Sequence, residues 1–172
     1  MRRALVGVIA LLLAMPALAA LYGLTQIDNL YENETSGLKF YEKGEYEQAL
    51  TLLRETAALG LKRSQYILGF MFLKGEGVER NALLGLAWMG LATESGNEDW
   101  QASYDQLYGT LNDTQKAMLQ RKIEEYRAKY GAVAQGITCA KTKIVGSRKV
   151  DWVCRKSEGS YELHEIEIPA AR

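Results

Sequence analysis

Leu68 to Asn97 reads L-G-F-M-F-L-K-G-E-G-V-E-R-N-A-L-L-G-L-A-W-M-G-L-A-T-E-S-G-N. Glycines at Gly75 and Gly96 close two runs at helical spacing, where a residue able to turn left-handed ends a helix. Small residues at Gly69, Gly85 and Ala92 let two helices approach closely. Phe72 and Trp88 fill the spaces beside them. The stretch therefore predicts one helix–loop–helix unit.

The same unit recurs upstream. Ala49 maps on Gly85, Leu52 on Trp88, Leu53 on Met89, Ala57 on Thr93 and Gly60 on Gly96, each at a step of 36 residues. Gly37 maps on Gly69 and Phe40 on Phe72 at a step of 32. The difference falls in one loop, tight at Lys43-Gly44-Glu45 and longer from Gly75 to Arg80. Tyr46, Ala49, Leu50, Leu53 and Ala57 form an apolar stripe of helical period. One helix pair cannot bury such a stripe alone, whereas stacked pairs can.

Leu68, Gly69, Gly75, Gly77, Val78, Trp88, Ala92 and Gly96 resemble the Sel-one-like repeat, a subclass of the tetratricopeptide superfamily, in its small exported bacterial form. Phe72 replaces the family's tyrosine. Ser64, Asn81, Gly85 and Thr93 replace alanine, aspartate, alanine and alanine. The resemblance covers Gly37 to about Trp100. It implies a mainly α fold, a short right-handed α/α superhelix with a face that binds other proteins or peptides. Phe40, Tyr41, Tyr66, Phe70 and Trp88 are the candidate partner-binding aromatics. Phe40 and Trp88 also sit at packing positions of the pattern.

The N-terminus reads separately. Arg2 and Arg3, the apolar run from Ala4 and the Ala17-Leu18-Ala19 site have the form of a signal peptide over residues 1–19. A periplasmic or secreted bacterial protein is the expectation. The alternative is an inner-membrane anchor through residues 4–21, the short end of the span a bilayer needs; membrane contact is expected only in that case. Asn33-Glu34-Thr35 matches a glycosylation sequon, which matters only in a eukaryotic secretory pathway.

Residues 20–36 read as an N-terminal extension, 37–111 as the repeats and 112–131 as a capping helix. That helix opens with Asn112 and Gln115 spaced as a capping box. Residues 137–156 read as a β-hairpin with strand formers on both sides of Gly146-Ser147. A turn there sets Cys139 opposite Cys154, and a two-residue turn makes theirs a hydrogen-bonded pair. These are the chain's two cysteines. Behind an export signal they predict a disulfide, which holds the hairpin as an appendage to the repeats. Residues 157–172 are a tail or a third strand, with Leu163, Ile166 and Ile168 apolar.

Formal net charge is zero over the chain. It is −7 from Ala20 to Thr114, +8 from Gln115 to Ser157 and −3 from Glu158 to Arg172. Arg148, Lys149, Arg155 and Lys156 form a candidate basic patch for an anionic polymer or membrane surface; the plainer reading is docking of opposite charges within the molecule. No catalytic constellation stands out. The single histidine, His164, makes no triad, and with Cys139 and Cys154 it lacks zinc-ligand spacing. Glu76 reads as a solvated loop residue, and Glu94 and Glu98 as acids with no visible partner. The expectation is a non-enzymatic adaptor or scaffold without cofactor, metal or nucleic acid. An inhibitor or immunity-type protein against a toxin or envelope enzyme is the alternative.

Overall fold

The computed structural model of the protein describes residues 29–143, 150–157 and 164–166. Helical residues 29–42 (α1) are followed by α2 (Tyr46–Ala58), α3 (Lys62–Lys74), α4 (Ala82–Ala92), α5 (Glu98–Gly109) and α6 (Asp113–Tyr130). A 3₁₀ turn, Thr93–Ser95, links α4 to α5. Strands β1 (Ile137–Lys143) and β2 (Val150–Lys156) then form an antiparallel pair. The fold is mainly helical, with a disulfide-linked hairpin at its C-terminal end.

The repeat period appears in the element starts. Tyr46 and Ala82 open α2 and α4, and Lys62 and Glu98 open α3 and α5, again at a step of 36. Gly60 and Gly96 end the two units with φ of 88° and 80°. Close approach explains the paired glycines of α3 and α4. A Cβ on Gly69 would lie 2.9 Å from the Gly85 carbonyl oxygen, and one on Gly85 would lie 2.8 Å from that of Gly69. Backbone meets backbone there, and no larger residue fits without displacement.

Trp88, Phe72, Leu68, Leu91 and Leu119 form the main core with Tyr126 and Tyr130. α6 packs on α4 through Leu119, Ile123, Tyr126 and Tyr130, so it covers the end of the array. Asn112 accepts from the Gln115 amide, and the Gln115 side chain accepts from the Asn112 amide. These reciprocal bonds satisfy two helix-terminal donors, as the capping-box spacing predicts.

Two domain readings change. The first helix already covers residue 29, so part of the expected extension belongs to the repeat body; Leu30 packs there with Leu61 and Ile137. Residues 164–166 are not strand. Tyr130 Oη donates to the Glu165 carbonyl, and Ile166 packs against the main core, which fixes this short stretch along α6. The rest of the expected third strand, the Gly146-Ser147 turn and the signal segment lie outside the described residues.

Cys139 and Cys154 are disulfide-bonded and stand opposite each other in the ladder. The pairing type differs from the expectation. Ser157 N donates to Gly136 O, 2.7 Å, which continues the ladder and fixes its parity. Gly136 with Ser157, Thr138 with Arg155 and Ala140 with Val153 are then the hydrogen-bonded pairs. The cysteines fall in a non-hydrogen-bonded pair, where backbones approach most closely; their Cα atoms are 3.9 Å apart.

Candidate functional site

Among the described residues, the hairpin is tied into the body through Ile137, Lys156 and Trp152, and at the surface through Lys141 to Glu98. Ile137 enters the Leu30–Leu61 cluster. Lys156, 6% exposed, donates from Nζ to Leu59 O at 3.2 Å, Gln135 O at 2.6 Å and Gln135 Oε1 at 3.1 Å. Trp152 lies on the 96 turn, so that a Cβ on Gly96 would be 2.8 Å from its ring. Burial pushes the Lys156 ammonium down to about 8. Lys156 therefore does not join an exposed basic patch: a lysine whose head is taken by carbonyls is an anchor. Arg155 is exposed, and Arg148 and Lys149 lie outside the described residues.

Between hairpin and helices is a cleft of about 520 Å³. Tyr31 and Glu34 come from α1, Lys62 and Arg63 from α3, and Trp100 from α5; Asp151 to Cys154 come from β2. Its helical residues thus belong to alternate helices, one from each stacked pair. Glu34 links the first three helices. Thr56 Oγ1 donates to Ser64 Oγ at 2.7 Å, and Ser64 donates to Glu34 Oε1 from Oγ at 2.9 Å and from N at 3.2 Å. Burial raises the Glu34 pKa more than these bonds and the Arg63 charge lower it.

Behind the cleft wall, Lys62 is buried and donates to Glu94 Oε2 at 2.9 Å and Gln65 Oε1 at 2.9 Å. Glu94 also accepts from Arg127 Nε at 3.0 Å and from the Ala132 amide at 2.7 Å. Burial, the largest influence on each, lowers the Lys62 pKa despite Glu94. It also raises that of Glu94, but Lys62, Ala132 and Arg127 together outweigh it and hold the carboxyl below its ordinary value. Three donors converge on Glu94, which favours its carboxylate form. The partners missing from the sequence reading are thus found for Glu94, and Glu98 receives Lys141 Nζ at 3.1 Å.

Three of the five candidate aromatics, Tyr66, Phe70 and Tyr41, are linked in a run that starts at the cleft residue Trp100. Tyr66 stacks on Trp100 with centroids 4.6 Å apart and rings 13° from parallel. Phe70 meets Tyr66 edge-on at 5.0 Å. Lys74 Nζ stands 5.6 Å from the Phe70 centroid and 3.5 Å from Tyr41 Oη. Tyr41 donates to Glu76 Oε2 at 2.8 Å, and Tyr46 donates to Glu76 Oε1 at 3.3 Å. Glu76 is thus a built-in acceptor for two tyrosines and not a solvated loop acid. Phe40 is half-buried against Ala49, Leu53 and Met71. Trp88 is the correction: it is 0% exposed, with Tyr126 and Tyr130 rings at 4.9 and 5.0 Å, and takes no part in any surface.

The sequence reading missed Glu34, Arg63, Asp151 and Trp152 as cleft residues. One signal was present: Ser64 replaces the alanine of the pattern, and a hydroxyl at a close-packed position needs a partner. Glu34 is that partner.

No family model matches the chain, and no curated protein does. Among solved structures, the chain is similar to a protective antigen present in uropathogenic Escherichia coli strains that displays an SLR fold. Identity is 24% and the TM-score 0.46; the match covers 60% of this chain and 23% of that one. The chain therefore spans about a quarter of that protein's length.

Proposed function

We propose that the protein is an exported, non-enzymatic helical-repeat protein that binds a segment of another protein along the side formed by α1, α3 and α5. The observation that carries this reading is the continuous run from the cleft through Trp100, Tyr66 and Phe70 to Lys74 and Tyr41. Half-exposed aromatic rings held in place by neighbours are what binding surfaces use as anchors. Export is supported by the signal-like residues 1–19 and by the disulfide, which suits an oxidising compartment. Among the described residues no helix is long and apolar enough to cross a membrane.

The test uses the chain from Ala20 as bait on the envelope fraction of its own cells. A partner is expected with the wild type and lost with Tyr66→Ala/Trp100→Ala, the variant's helical circular dichroism being unchanged. Retention of the same partner by the double variant overturns the assignment of this side. N-terminal sequencing of the native protein is expected to begin at Ala20; a start at Met1 in the membrane fraction overturns processing.

A further inference from the structure

One edge of β2 pairs with β1, and the other borders the cleft. Asp151, Trp152, Val153 and Cys154 all line it. Consecutive strand residues point to opposite faces, so four in a row can border one space only if the strand's edge faces it. The parity set by Ser157 and Gly136 turns the main-chain groups of Trp152, Cys154 and Lys156 away from β1. Two of these amides are engaged: Trp152 N donates to Asp151 Oδ1 at 2.8 Å and Lys156 N to Tyr31 Oη at 2.9 Å. The Cys154 amide between them has no partner among the described residues. The Trp152 indole Nε1 is likewise buried without one.

Glu34 stands across the cleft. Both bonds from Ser64 fall on Oε1, which leaves Oε2 without a donor among the described residues. Tyr31 and Trp100 are cleft neighbours, and aromatic faces attract cations. Lys62 is already neutralised by Glu94. Arg63 is exposed; its charge acts on Glu34 without a hydrogen bond, and with Lys62 paired to Glu94 the cleft has two acids, Glu34 and Asp151, against this one base.

We propose that the cleft takes an extended peptide segment as a third strand on the edge of β2 that no described strand pairs, with a lysine or arginine side chain of that segment against Glu34. In such strand addition, main-chain bonds supply affinity and alternate side-chain sites supply selectivity. The volume lies within the range of about 300–1,000 Å³ usual for ligand sites. Glu34 and Asp151 at the cleft favour a basic side chain over a neutral or acidic one, while β2 itself belongs to the +8 stretch. This inference rests on the protein-binding reading above and adds the binding mode and the partner's charge.

The probes are dye-labelled ten-residue peptides of alternating valine and threonine with one central lysine. A norleucine version removes the charge, and two N-methylated versions block alternate sets of amides. Anisotropy is expected to show the lysine peptide binding about tenfold more tightly than the norleucine one. Glu34→Gln, which keeps an acceptor for Ser64, is expected to level the two. One methylation set abolishes binding and the other does not. Exchange of the Cys154 amide slows when peptide is added. If both methylated peptides bind alike and the Cys154 amide is unaffected, strand addition is overturned. Equal binding of lysine and norleucine peptides to the wild type overturns the role of Glu34, even if Glu34→Gln fails to fold. Should no peptide bind while the envelope partner is still captured and lost with Tyr66→Ala/Trp100→Ala, this inference falls and the protein-binding reading stands. Absence of both results removes both.

Discussion

Glu94 is where single-residue chemistry bears most on stability. Its carboxylate neutralises a buried lysine and caps the amide of Ala132. Glu94→Gln is expected to cost up to about 3 kcal/mol, because it removes the carboxylate paired with the buried Lys62. The pH dependence follows from the lowered pKa. Such a group contributes stability above its unfolded value, ordinarily 4.5, and the contribution is lost as pH falls through the folded value. Urea melts of the wild type should therefore weaken below about pH 4.5, and those of Glu94→Gln should lack this component. Glu76→Ala is expected to cost about 1–2 kcal/mol, since two tyrosine hydroxyls lose their acceptor; an unchanged melt would contradict its acceptor role. Neither role was legible in the sequence. Their partners lie 30 to 38 residues away, across helices whose faces only the packed array brings together.

Helices and turns were far more legible, because their causes are local or periodic. The 36-residue step, the left-handed glycines and the Asn112 box each depend on near neighbours. Gly69→Leu tests the helix contact: its side chain must enter between α3 and α4, against the Gly85 carbonyl and Met89. The expected loss is at least about 1–3 kcal/mol, read as a lowered melting temperature. Two turn glycines give a sharper comparison. Gly44 has φ 77° with nothing within 4 Å of a Cβ, whereas Gly96 has φ 80° with Trp152 against it. Gly44→Ala should cost only the roughly 1 kcal/mol of a left-handed alanine. Gly96→Ala should cost more and shift Trp152 fluorescence. Equal melts would show that Trp152 does not bear on the turn. Trp88 shows the limit of pattern reading: the same aromatic letter serves a core or a surface, and burial decides.

At the scale of the molecule, the hairpin is a wall of the cleft as well as a cover for the repeat ends. The Cys139–Cys154 register and disulfide match the sequence expectation, whereas the pair's hydrogen-bond parity is the opposite of the one a two-residue turn implies. The hairpin's docking was not legible, because Ile137, Trp152 and Lys156 meet residues of α1 and of both repeat ends. The disulfide closes a separation of 15 residues, worth about 3 kcal/mol by the chain-entropy estimate. Cys139→Ser/Cys154→Ser should keep most of its helical circular dichroism, since the main core lies in α2 to α6. It should also expose Trp152 to quencher and lose peptide binding at the cleft. Loss of the helical signal as well would make the hairpin a condition for folding the array. Two free thiols in protein from the envelope would refute the bridge.

Repeat arrays commonly grow when a unit is copied in tandem. This one carries a brake on that process. A Cβ on Gly60 would meet Gln135 and Ile137, and one on Gly96 would meet Trp152. The ribbon and the turn leading into it thus span one period, touching the end of each unit. A duplicated unit inserted between those glycines would carry the two contact points apart, and the ribbon could keep only one. A chain lengthened between these glycines is expected to lose one of the hairpin's two footholds, whereas a unit added beyond either glycine leaves both in place.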